Sequence, residues 1–124
     1  MNGKFILDTN AIISLLNGHN SINLQLQNAT WIGISVISEL EFLAYRNLTE
    51  NDRLLFQNFK SRIHVINLDT NDAQFILSIT FIRQRFNLKL PDAIIAASAF
   101  ENQATLISND IVFSRVANLA VLTF

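Results

Sequence analysis

Short apolar runs alternate along this chain with longer segments in which apolar residues recur at helical spacing. Runs suited to buried strands occur at residues 5–7, 31–34, 63–66, 105–107 and 120–123. Between them, Val36, Ile37, Leu40, Leu43 and Ala44 share one helical face. Leu54, Leu55, Asn58 and Phe59 form a second such face, and Phe75, Ile76, Ile79 and Ile82 a third. The last long segment, "PDAIIAASAFEN", carries Pro91 where a first helical turn tolerates it, because that N–H would be unpaired in any case. Strands alternating with helices require crossover connections. They predict an α/β fold with a mostly parallel sheet of about five strands and helices on both faces.

In such folds, ligands gather beyond the carboxyl ends of the strands, where strand order reverses. Asp8 follows the first predicted strand directly in "KFILDTNAIISLL", and Asp110 follows the fourth in "LISND". Both acids therefore fall where this architecture places chemistry.

Composition narrows the classes of function. At 124 residues the chain predicts one domain spanning residues 1–124, and no Pro-, Gly- or Ser-rich linker or repeat interrupts it. A formal net charge of −1 excludes whole-surface attraction to nucleic acid, so any such binding requires a local patch. The absence of Cys excludes disulfides and thiolate metal sites, and fits a reducing compartment. Asp8 cuts the first apolar run too early for a signal-peptide core, and no apolar stretch approaches membrane-spanning length. The expectation is a soluble, cytoplasmic protein with no membrane partner.

The candidate chemistry is acidic. Asp8, the pair Glu39 and Glu41, Asp92 and Asp110 are the positions to weigh. Carboxylates meeting in one pocket repel and raise one another's proton affinity unless a cation compensates. A hard divalent ion such as Mg²⁺ or Mn²⁺ suits oxygen donors of this kind. It polarises a phosphoryl oxygen and acidifies water, which fits phosphodiester hydrolysis. Each acid also has a purely structural alternative. Asp8 and Asp110 suit helix caps or turns, Asp92 lies in a first turn favoured by the helix dipole, and the glutamates suit a solvated helix face. Spacing leaves Glu39 and Glu41 on opposite flanks of their helix, so the pattern alone does not choose between them.

Taken in order, "FILDTNAII", "SVISELEFLAY", "LKLPDAIIAASAF" and "TLISND…F" resemble the four successive motifs of PIN-domain ribonucleases, and the compact length resembles the VapC-type toxins of type II toxin–antitoxin pairs. The resemblance covers nearly the whole chain. It implies a PIN-like three-layer α/β/α sandwich and a metal-dependent endoribonuclease using one or two Mg²⁺ or Mn²⁺ ions. It further implies an RNA substrate and a cognate VapB-like antitoxin. Asp8 would match the first metal-binding acid, with Asn10 as its polar neighbour. The Ser/Thr-x-x-Glu motif would match Ser38 and Glu41, favouring Glu41 over Glu39. Asp92 and Asp110 would complete the catalytic and metal-binding set, with Ser108 and Asn109 supporting the last motif. One departure is Val112, which stands where relatives often carry a further acid. Two alternatives within the same resemblance are a PIN nuclease of RNA processing without an antitoxin, and an inactive PIN binding module.

Other classes fit less well. A haloacid-dehalogenase-like phosphatase needs a second Asp where this chain has Asn10. No glycine-rich turn follows any strand, which excludes Rossmann and P-loop nucleotide sites. His19 and His64 lack ligand-spaced partners. Arg83, Arg85 and Lys89 precede Asp92 and are candidate contacts to RNA phosphates, against the simpler reading of cations at a solvated helix end. Phe56, Phe59, Phe75, Phe81 and Phe86 read as core or interface. Their number suggests a covered surface, consistent with a homodimer and an antitoxin groove.

Overall fold

The structure, a computed structural model, describes residues 3–124. It opens with β1 (Lys4–Leu7), α1 (Thr9–Leu16) and α2 (Asn20–Leu26), then β2 (Trp31–Ser35), α3 (Val36–Leu43) and α4 (Glu50–Lys60). The second half comprises β3 (His64–Ile66), α5 (Ala73–Phe86), α6 (Leu90–Glu101), β4 (Thr105–Ile107), a 3₁₀ turn at Ile111–Arg115 and β5 (Val121–Leu122). All strand pairings are parallel, in the order β3-β2-β1-β4-β5. Each predicted strand is present to within about two residues, and the predicted α/β/α layering is observed.

Alternation along β1 divides the interior in two. Phe5 and Leu7 pack with Ile12, Ile22, Ile34, Phe42 and Phe56 on one face of the sheet. Ile6 packs with Leu106, Phe75, Ile79 and the alanines of α6 on the other. Seven consecutive residues of α6, Ala93 through Ala99, are buried. The four alanines among them let the helix lie close to the sheet. On β2, Gly33 is required by a close approach: a Cβ there would meet Trp31 Cη2 at 2.6 Å and Ile66 Cδ1 at 2.9 Å.

Local signals explain the helix boundaries. Asp8 caps α1, Ser35 caps α3, and Thr49 with Asp52 forms a reciprocal capping box on α4. The α5 helix starts at the Asp72 cap and ends on Asn87 in the left-handed region, a conformation Asn tolerates.

Two predicted faces require correction. In α3, Leu40 is exposed, whereas Ser38 and Phe42 are buried. The helix lies between both cores, with Ile37 touching one and Phe42 the other, so a single apolar stripe does not describe it. In α4, Leu54 and Leu55 face outward, and Phe56 is the buried anchor, stacked on Phe42. The α5 face of Phe75, Ile79 and Ile82 is buried as expected. The α2 helix lies outside the helical segments predicted from the sequence. Ile22 and Leu26 at i,i+4 spacing were its available signal.

Candidate active site

The chain runs outward from β1 to β2 and β3, then returns to place β4 on the other side of β1. The strand order therefore reverses between β1 and β4, and the crevice lies beyond their carboxyl ends. Asp8 leaves β1 there, its backbone N–H donating to the Ile107 carbonyl at 3.0 Å. Asp110 caps the 3₁₀ turn just past β4, Glu41 arrives on α3 from the end of β2, and Asp92 sits in the first turn of α6.

Three of these acids are joined by hydrogen bonds. Asp8 Oδ1 accepts from the Thr9 N–H at 2.8 Å, and Asp8 Oδ2 accepts from the Ser108 hydroxyl at 2.7 Å. Ser108 Oγ accepts in turn from the Asp110 N–H at 3.0 Å. On the other side, the Thr9 hydroxyl donates to Glu41 Oε1 at 2.7 Å. Glu41, Thr9, Asp8, Ser108 and the Asp110 backbone thus form one connected series. Asp92 joins it through charge: its carboxylate feels both Asp110 and Glu41.

Electrostatics mark the same group. Burial pushes Asp8 above the usual carboxylate range. The Ser108 hydroxyl and Thr9 amide pull it back in part, while Glu41 and Asp110 raise it further. Burial also raises Asp92, reinforced by Asp110 and Glu41 and partly offset by Lys89. Four acids from four separate elements therefore repel one another across one crevice.

The two glutamates separate cleanly. Glu39 is largely buried and pairs with Lys60 at 2.6 Å, so its charge is neutralised away from the crevice. Glu41 faces Thr9 and the other acids.

The supporting residues divide as well. Ser108 orients Asp8 directly. Asn109 spends its amide on Phe124, donating to the carbonyl and accepting from the N–H, each at 2.8 Å, so it fastens the chain beside the site. Asn10 Oδ1 and Ser38 Oγ are buried without a hydrogen-bond partner. Of the basic candidates, Arg83 donates to the Leu88 carbonyl at 2.6 Å and closes the α5–α6 turn, Arg85 is exposed, and Lys89 lies beside Asp92. Reading the sequence overlooked Thr9. No spacing rule connects it to a residue 32 positions away, and its place immediately after a strand-end acid was the only hint.

The residues present fit a hard divalent ion. The donor set is all oxygen, the carboxylates repel one another, and buried polar atoms at Asn10 and Ser38 are unpartnered. Among the described residues, no three acids stand close enough together to hold one ion between them.

The PIN domain family model matches residues 5–119 of the chain. Among solved structures, the chain is similar to VapBC2 from Rickettsia felis bound to a DNA fragment from its promoter. Identity is 24%, 98% of each chain is covered, and the TM-score is 0.78. It is also similar to a toxin–antitoxin complex from Klebsiella pneumoniae, at 26% identity over 95% of each chain with a TM-score of 0.76. DNA-bound VapBC from Salmonella typhimurium matches at 22% identity over 97% of each chain, with a TM-score of 0.74. No curated protein matches the chain significantly.

Proposed function

The chain belongs to the PIN domain family, and from that premise we propose that it is a metal-dependent endoribonuclease acting as the toxin of a type II toxin–antitoxin pair. The observation that carries this reading is that Asp8, Glu41, Asp92 and Asp110 line one crevice at the strand-order reversal, where Ser108, the Thr9 amide and Lys89 offset the proton affinity raised on Asp8 and Asp92 only in part. These four acids would hold one or two Mg²⁺ or Mn²⁺ ions. When bound, such an ion supplies polarisation of a phosphoryl oxygen and acidification of water.

The chain's own groups do the positioning. Ser108 fixes the orientation of Asp8 and, through the Asp110 N–H, the start of the turn that carries Asp110. Lys89 offers a phosphate contact beside Asp92, and the exposed Arg85 a more distant one. No side chain is needed as a covalent nucleophile. Neither His19, set edge-on to Phe124, nor His64, stacked on Trp31, is engaged with the acids.

Protein partners are supported by exposed apolar side chains on two sides. Leu77, Phe81 and Phe100 lie on α5 and α6; Ile13, Tyr45 and Leu54 lie on and between α1, α3 and α4. A second copy of the chain and a VapB-like antitoxin are the proposed occupants. No helix among the described residues is long and apolar enough to cross a membrane.

The test is cleavage of RNA by the purified protein with Mn²⁺, with excess chelator, and with Asp8→Asn or Asp92→Asn. Cleavage lost in the last three conditions is expected. Cleavage that survives both substitutions sinks the assignment of these acids. Growth arrest on expression, relieved by coexpressing a small protein encoded beside the gene, is expected of a toxin. Active RNA cleavage without such arrest instead favours a nuclease of RNA processing.

A further inference from the structure

We propose that Thr9 is a positioning residue that holds the Asp8 and Glu41 carboxylates at a set separation, so that both are presented to the same divalent ion. The inference rests on the metal-dependent reading above and extends it to a residue outside the acidic set. Thr9 is hydrogen-bonded to both carboxylates: its N–H donates to Asp8 Oδ1 at 2.8 Å and its hydroxyl to Glu41 Oε1 at 2.7 Å. The two acids come from different parts of the chain, Asp8 from the junction of β1 and α1 and Glu41 from α3, and they repel. Glu41 is exposed on its helix, so without a local partner its long side chain would spread among solvent-facing rotamers. The hydroxyl opposes both tendencies. The amide bond fixes where Thr9 sits relative to Asp8, and the hydroxyl then ties Glu41 to that same point. Thr9 begins α1, so helix packing through the buried Ala11 and Ile12 anchors the strut.

The amide contact survives any substitution except Pro, so the side chain can be tested alone. Thr9→Val removes the hydroxyl at nearly constant shape, and Thr9→Ser restores it. Calorimetric titration of the purified protein with Mn²⁺ reads the effect without recourse to cleavage. Partners that orient metal ligands commonly contribute 10–100-fold to affinity, so Thr9→Val is expected to weaken Mn²⁺ binding about tenfold or more, and Thr9→Ser to recover most of it. In a Glu41→Ala background, Thr9→Val is expected to add little, because the acceptor of its hydroxyl is gone. Thermal melting of metal-free Thr9→Val should match the wild type, which separates this loss from misfolding.

Wild-type binding that Thr9→Val leaves unchanged overturns the role of Thr9 while sparing the proposed function. A full additional loss from Thr9→Val in the Glu41→Ala background also overturns it, since the hydroxyl would then act by another path. A wild-type protein that binds no Mn²⁺ overturns the metal reading and this proposal with it.

Discussion

Substituting Asp8 with Asn is expected to abolish cleavage and yet stabilise the metal-free protein. Asp8 is buried, and the carboxylate accepts hydrogen bonds from Thr9 and Ser108. Those bonds favour its ionised form, but burial together with Glu41 and Asp110 outweighs them, leaving its proton affinity raised above the ordinary value of 3.8. In the variant, the amide oxygen can accept from Thr9 and the amide nitrogen can donate to Ser108, whose hydroxyl is free to rotate. Two neutral hydrogen bonds replace two charge-assisted ones, while the buried charge disappears. The net relief has the sign of that elevation, so the variant should be the more stable form, and each kcal/mol gained corresponds to roughly 4 °C in Tm for a chain of this size. The pH dependence has a definite sign. A carboxylate whose proton affinity is raised by folding costs stability only where it is ionised. The cost is absent below about 3.8, grows as pH rises through the elevated folded-state value, and is complete above it. Melting curves of wild type and Asp8→Asn in chelator should therefore converge at low pH and separate toward neutrality, with the variant higher. Saturating Mn²⁺ should reverse the order by stabilising only the wild type. A variant that melts lower than wild type at neutral pH without metal, or a gap that fails to close on acidification, refutes the reasoning.

Glu39→Gln should retain RNA cleavage, whereas Glu41→Gln should lose it. The Glu39–Lys60 pair is partly solvent-screened, with Lys60 38% exposed, so its loss should cost no more than about 1 kcal/mol in a urea titration. Gly33→Ala should destabilise by about 1–3 kcal/mol by driving a methyl group into Trp31 and Ile66; an unchanged urea midpoint would mean the indole yields freely. Asn109→Ala removes both bonds to the Phe124 backbone, and should speed amide exchange at Phe124 and cost about 1–2 kcal/mol, read as a drop in Tm.

The parts of this molecule visible in its sequence are those set by short-range pattern. Five apolar runs became five strands because a buried parallel strand needs little more than a few consecutive apolar residues, and the intervening lengths compel crossovers. Asp8 and Asp110 could be placed at the crevice for the same reason: Asp8 directly follows a strand, and Asp110 comes in the short turn after one. Patterning failed where a helix has more than one neighbour. A stripe of Val36, Leu40 and Leu43 presupposes one partner surface, but α3 wedges between two cores, and the burial of Ser38 and Phe42 follows from that position alone.

The choice between Glu39 and Glu41 shows most clearly what a linear pattern omits. Both flank the same helix, and each has the same intrinsic chemistry. What distinguishes them is what lies opposite: Lys60, brought up by α4, neutralises one, and Thr9, at the start of α1, receives the other. The family resemblance selects Glu41 by motif position, and in the structure Glu41 accepts from Thr9 while Glu39 is paired with Lys60. An acid already paired with a lysine has little left to offer a cation. An acid facing other acids, held in place by a hydroxyl, stands in an unbalanced field that a divalent ion would relieve. The physical criterion for a site residue here is thus a surplus of like charge that no ion pair cancels: Asp8 and Asp92 feel Glu41 and Asp110, Lys89 offsets Asp92 only in part, and Glu39 is paired with Lys60.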